Sequence, residues 1–82
     1  MYEIIKERIK VAAIFERGKV KPFLFSWREK KQKIKNINLI HSAYIGSSKC
    51  LFFSVSTDNG EYKIKYDTKN LTWSLEQIYL EG

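Results

Sequence analysis

Between Leu51 and Leu75 (LFFSVSTDNGEYKIKYDTKNLTWSL) apolar and polar positions alternate with a period of two, interrupted twice by turn-forming residues. Alternation of this kind marks half-buried strands, so the segment predicts a three-stranded antiparallel meander. Asn59-Gly60 suits the two central positions of a type I′ turn, both of which need φ > 0. That turn sets Thr57 opposite Tyr62, Val55 opposite Ile64 and Phe53 opposite Tyr66, with Ser56 facing Lys63 and Ser54 facing Lys65 on the other side. Asp67-Thr68-Lys69-Asn70 supplies the second turn, with an Asp able to bond its own backbone and an Asn tolerant of αL. It pairs Tyr66 with Leu71, Ile64 with Trp73 and Tyr62 with Leu75. A slip by one residue would turn all of these side chains to the opposite face.

The flanking segments carry weaker versions of the pattern. Ile9, Val11, Ala13 and Phe15 alternate up to the turn signal Arg17-Gly18, which predicts a strand from about Glu7 to Phe15. Tyr2, Ile5 and Ile9 also fit one helical face, so residues 1–8 are expected to form a loose or helical lead-in. Lys21 to Trp27 predicts a second strand, with Phe23, Phe25 and Trp27 on one side and Pro22, Leu24, Ser26 and Arg28 on the other. Pro22 lacks an N–H and suits the start of a strand or a sheet edge. Glu29-Lys30 is the turn expected next, placing Phe25 opposite Ile34 and Trp27 opposite Gln32.

In KQKIKNINLI the apolar phase breaks between Ile34 and Ile37, which a bulge near Lys35-Asn36 would restore to the core together with Leu39. A short helical turn across Asn36 to His41 is the alternative. His41 to Lys49 reads as irregular, with Gly46, Ser47 and Ser48 at its tip. A second break between Leu75 and Ile78 predicts another bulge or the end of the sheet, with Ile78 and Leu80 still partly buried. The fold class is therefore all-β. About six antiparallel strands form a single domain over residues 1–82, a meander curled into a small barrel or half-barrel. Helix is admitted only as a short N-terminal or 36–45 segment. A flat sheet of this size would leave one apolar face bare, so the N-terminal segment or a second copy of the chain is its candidate cover.

Composition narrows the function classes. A chain of 82 residues buries only about 60% of the surface its unfolded form exposes. Five Tyr, five Phe and two Trp supply large rings for a small core. The single cysteine, Cys50, excludes an internal disulfide and points to a reducing compartment, hence a cytoplasmic expectation. No apolar run approaches the ~20 residues that cross a bilayer, and MYEIIKERIK has neither the apolar stretch nor the cleavage site of a signal peptide. The net charge of +6 is concentrated: Lys19 to Lys35 hold seven cations against Glu29, and the remainder carries eight of each sign. Such a field is the footprint of a phosphate-binding surface. The plainer explanation is a composition rich in Lys, Ile, Asn and Tyr, in which Lys is the default solvent-facing residue.

PFLFSWREKKQKI (residues 22–34), LFFSVSTDNGEYKIKYD and LTWSLEQIY together resemble a family of short bacterial proteins of unknown function. That family is characterised by a Pro-x-x-Phe-x-Trp-Arg-Gly-Arg hairpin and a C-terminal three-stranded meander. The matching positions are Pro22, Phe25, Trp27, Arg28, Val55, Thr57, Gly60, Tyr66, Asp67, Trp73 and Leu75, and they span most of the chain from Pro22 onward. Glu29 stands where the family has its turn Gly, and His41 lies near a position where Trp is common. The resemblance implies the fold and says nothing of an activity.

Catalysis has little to work with. Metal sites and nucleophilic triads need clusters of His, Cys or carboxylates, and the chain has one His and one Cys. A His41, Ser42 and Cys50 set reads more simply as a solvated loop and a small packed thiol. Asp58 and Glu61 flank a surface turn. No enzyme, cofactor or metal is expected. The four glycines are isolated, so no phosphate cradle is present, and the basic segment has strand rather than helical periodicity, which argues against a membrane-surface role.

Binding of single-stranded nucleic acid, or of another anionic polymer, is the sharper expectation, since it needs a cationic surface beside exposed rings. The candidate residues are Lys21, Trp27, Arg28, Lys30, Lys31, Lys33 and Lys35, with Lys63 and Lys65 adding charge on the meander's outer face. The competing expectation is a protein-interaction or self-associating module that pairs through a free sheet edge with a protein partner or as a homodimer. Lysines lining a free edge favour a role in preventing pairing; lysines gathered on one face favour an anionic ligand.

Overall fold

The computed structural model describes residues 1–79, and its elements are all strands. These are β1 (Tyr2–Glu16), β2 (Lys19–Trp27), β3 (Lys30–Lys33), β4 (Asn36–Ile45), β5 (Ser48–Thr57), β6 (Gly60–Asp67) and β7 (Thr72–Tyr79). They form one antiparallel sheet in the order β3-β2-β1-β7-β6-β5-β4. The count is thus seven rather than six among the described residues. The extra strand arises because KQKIKNINLI, expected as one bulged strand, is divided between β3 and β4, and β4 continues into the segment expected to be irregular and closes on β5 by a two-residue loop, Gly46-Ser47. Residues 2–8 are strand as well: β1 starts at Tyr2, and a bulge with Lys6 at φ 54 replaces the helical lead-in. No helix among the described residues is long and apolar enough to cross a membrane. The expectation for Leu80 lies outside the described residues.

The sheet curls because its two end strands are consecutive in the chain. β3 pairs with β2 at one end, β4 pairs with β5 at the other, and only Ile34 and Lys35 separate them. Each of those two residues bonds a different side: the Ile34 N–H donates to the Phe23 carbonyl (3.0 Å), and the Lys35 N–H donates to the Ser56 carbonyl (2.8 Å). Gln32, buried on β3, accepts from the Asn59 side-chain amide (2.8 Å) and the Thr57 hydroxyl (3.3 Å) across the same closure. The result is a half-barrel whose two wings cover each other.

Its interior holds Ile9, Phe25, Phe53, Val55, Tyr62, Ile64, Tyr66, Trp73 and Leu75. Phe25 of β2 meets Tyr62 of β6 edge-on at 5.2 Å, and Tyr66 lies 4.6 Å from Trp73. Full burial of a large apolar side chain contributes about 1.5–3 kcal/mol, which is why these rings hold the wings together. Ile78 is half-buried against this cluster, and an extra β7 residue, Glu76, restores its phase, as the break in alternation predicts.

Side-chain faces follow the predicted alternation, but three hairpin registers are displaced by two residues. Val55 pairs with Tyr62 and Phe53 with Ile64, because the loop is Asp58-Asn59 and Gly60 already faces Thr57. The Thr57 hydroxyl accepts the Asn59 N–H (3.0 Å), and only Gly60, at φ 137, takes positive φ, so the turn is not the expected type I′. Tyr66 pairs with Trp73 and Ile64 with Leu75, because the second loop extends to Leu71. That residue, 70% exposed, takes the left-handed conformation (φ 58) expected of Asn70. Phe25 pairs with Gln32 and Trp27 with Lys30 around Arg28-Glu29, both at positive φ (50 and 66).

Two further corrections concern which side chains point inward. β2 carries a bulge at Phe23, between the Ala12–Leu24 and Ala13–Pro22 pairs. Pro22, beside the bulge where a missing N–H is tolerated, is therefore the buried residue, and Phe23 is exposed. The bulge in β4 falls at Asn38 rather than near Lys35-Asn36, and it leaves Leu39 exposed on the outer face opposite Ser54.

Candidate nucleic-acid interface

The wing formed by β1, β2 and β3 presents an outer face set by strict alternation. Lys10 pairs with Ser26 and Ser26 with Lys31; Ala12 pairs with Leu24 and Leu24 with Lys33; Ile14 pairs with Lys21. Ala12 and Ser26 form a low floor between the lysines. The Phe23 ring, 46% exposed, stands at the bulge between Lys21 and Leu24. No carboxylate lies among these positions; the next outward pair, Glu16–Lys19, sets one at the hairpin end of the face beyond Lys21.

The seven residues singled out from the sequence divide between this face and the protein's own framework. Lys21, Lys31 and Lys33 lie on the outer face, exposed. Lys30 is also exposed but stands beside Trp27 at the turn, on the opposite side of the alternation. Trp27 is half-buried, and its indole N–H donates to a Glu7 carboxylate oxygen (3.0 Å). The Arg28 guanidinium covers the ring at 4.5 Å and forms a two-point contact with the same carboxylate (2.7 and 3.3 Å). Arg28, with Trp27 in support, holds the Glu7 carboxyl below the ordinary glutamate range, and Glu7 raises the Arg28 pKa in turn. Lys35 pairs with Asp58. Trp27, Arg28 and Lys35 are thus engaged within the fold.

Lys63 and Lys65 belong to the other wing. Lys63 lies 5.3 Å from the Phe52 ring, and Lys65 is a half-buried partner of Glu76 at 3.9 Å. Lys10 and Phe23 are the additions to the sequence-based set. Lys10 is found by pairing β1 with β2, and a Pro inside a paired strand is itself the signal of a bulge that redirects its neighbour.

The imagined nucleophile set is not assembled. The His41 ring lies flat on Phe52 at 4.9 Å, Ser42 pairs with Leu51 on the opposite face, and the Cys50 thiol is buried against the Ser48 carbonyl. Among the described residues no group of three or more His, Cys, Asp or Glu could hold a metal ion. Compared with known protein families, characterised proteins and solved structures, the chain shows no match.

Proposed function

We propose that the chain binds single-stranded nucleic acid, or a polyanion of similar charge spacing, on the outer face of the β1–β3 wing. Lys10, Lys21, Lys31 and Lys33 neutralise phosphates, and Phe23 offers its face to a base. The observation that supports this reading is an exposed aromatic ring among four lysines with no carboxylate at the intervening outward positions. The combination is what sequence-tolerant single-strand binders use, with each base–ring stack contributing about 1–3 kcal/mol. The proposal keeps Lys21, Lys31 and Lys33 of the expected set and replaces Trp27 by Phe23, whose ring is not covered by a guanidinium.

The test is a titration of labelled single- and double-stranded oligonucleotides at two salt concentrations. Single-strand binding should weaken with salt, with a slope of about −0.7 per phosphate contacted. It should fall sharply in Lys31→Glu/Lys33→Glu and fall about tenfold or more in Phe23→Ala. Absence of binding at low salt would overturn the reading.

A further inference from the structure

The edge strand β4 pairs with β5 on one side and, among the described residues, with no strand on the other. From Asn36 to Ser48 the chain (NINLIHSAYIGSS) has no charged residue, although 29% of all residues are charged. Leu39, Ile40, Tyr44 and Ile45 are each more than half exposed, Tyr44 by 73%. Exposed edges of soluble proteins ordinarily carry charge, proline or a cover that blocks a further strand. β4 carries none of these over its length, and its bulge at Asn38 lies outside the run Leu39 to Ile45, whose apolar surface calls for an occupant.

The order of side chains identifies that occupant. LIHSAYI is nearly symmetric about Ser42: two large apolar residues, His41, Ser42, Ala43, then two large apolar residues. An antiparallel second copy centred on Ser42 sets Leu39 opposite Ile45 of that copy, Ile40 opposite its Tyr44 and Ser42 opposite its Ser42. The faces agree in this register. Pairing with β5 puts Ile40 and Tyr44 on the core side, in line with Phe53 and Lys49, and Leu39 and Ile45 on the outer side, in line with Ser54 and Ser48. A two-fold axis brings identical charges near one another, and this edge has none to repel.

A second observation supports the same register. Beyond the Ile34–Lys35 crossing, β2 and β4 diverge, and β3 pairs only with Leu24–Trp27, leaving the start of β2 unpaired on that side. The opening is an apolar groove of about 490 Å³ lined by Val20, Ile37, Ile40, Leu51 and Phe53, with Lys19 and Lys21 at its rim. A partner residue opposite Ile40 on the core side stands over this groove, and in the Ser42-centred register that residue is Tyr44. We infer that the chain forms a two-fold dimer through antiparallel β4–β4 pairing centred on Ser42, each copy's Tyr44 entering the other's groove at Ile40.

Sedimentation of the full chain and oxidative cross-linking of single-cysteine additions test this together. Directly opposed residues of antiparallel strands lie about 4.5–5.5 Å apart between Cα atoms, within disulfide reach. Ser42→Cys should therefore yield a covalent dimer, whereas Ser47→Cys, five residues from the axis, should not; the native Cys50 is buried and does not compete. Tyr44→Lys places a charge on a side chain already exposed in the single copy, so folding should be retained while self-association weakens at least about tenfold. A wild-type chain that sediments as a monomer at every concentration overturns the inference. A dimer that withstands Tyr44→Lys, or that cross-links no better through residue 42 than through residue 47, overturns it too.

Discussion

The two free edges of this sheet are made by one continuous stretch of chain, yet they are opposites. β3 is four residues long, three of them lysine, and its buried Gln32 is latched to the hairpin across the closure. β4 begins after a gap of two residues and runs for ten residues without a charge. Lysines along an edge keep a second strand from pairing, and an edge without them accepts one. Positive charge at residues 30–35 therefore has two uses, and side-chain direction separates them. Lys30 guards the turn beside Trp27 and Lys35 is tied to Asp58, while Lys31 and Lys33 project outward in line with Lys10 and Leu24.

On this contrast, β3 owes its position to the core beneath it and not to its lysines. Phe25, almost fully buried, pairs with Gln32 and packs edge-on against Tyr62. Phe25→Ala should cost about 3–5 kcal/mol through the lost ring and the cavity left behind. Lys31→Ser/Lys33→Ser, at exposed positions, should move stability by less than about 1 kcal/mol. Urea denaturation of both variants checks the pair. A lysine double variant as damaging as Phe25→Ala would show that the charges hold the strand down.

The latch is the next lever. Gln32 is the buried acceptor for both Asn59 and Thr57, whereas the side-chain bond from β4, Asn38 Nδ2–H to the Ser56 hydroxyl (2.7 Å), is exposed. Gln32→Ala removes the protein acceptor of the Asn59 amide and leaves the Thr57 hydroxyl only the Gly60 carbonyl (3.4 Å), and should cost about 1 kcal/mol. The loss should be local in its onset: the Lys35 amide, bonded to Ser56 beside the closure, should exchange with solvent faster relative to the amides of β6. Uniform acceleration across the sheet would mean that the closure has no separate stability.

The same contrast explains what could be read from the sequence. Faces were legible because burial imprints a period of two, and Phe53, Val55, Ile64, Trp73 and Leu75 all point inward as alternation demands. Registers were not, because a displacement of two residues preserves every face and only turn geometry distinguishes the alternatives. Asn59-Gly60 resembles a primed turn, yet the Thr57 hydroxyl draws the bend one residue earlier. Arg28-Glu29 does adopt positive φ at both positions without the Gly or Asn that would announce it. The second half of β4, from His41 on, carries no readable pattern because its edge position leaves those side chains exposed, so burial imposes no alternation on them. The charge excess of residues 19–35 was visible as a count. Its distribution was not, since Glu7 and Asp58, which engage Arg28 and Lys35, lie 21 and 23 positions away.

The smallest expected effect concerns whether Arg28 can be returned from the framework to the basic surface. Glu7 holds Arg28 and Trp27 with one carboxylate, and chiefly for that reason titrates below the ordinary glutamate value of about 4.3. A carboxyl whose pKa is lowered on folding contributes stability above its unfolded value, and that contribution disappears as the pH falls through its folded value. Asp67, lowered by the Asn70 backbone N–H first and then by the Asn70 side chain, contributes in the same direction. It is present in wild type and in Glu7→Gln alike, so the difference between their stability–pH curves isolates Glu7. That difference should be constant above the ordinary glutamate range and should shrink toward zero as the pH drops below it. The effect on binding should have the opposite sign. Without the carboxylate, Arg28 is free to meet a phosphate, and Glu7→Gln should steepen the single-strand salt slope by about 0.7. A variant that loses the pH-dependent stability but leaves the slope unchanged would place Arg28 wholly in the framework, and the basic surface would end at Lys31.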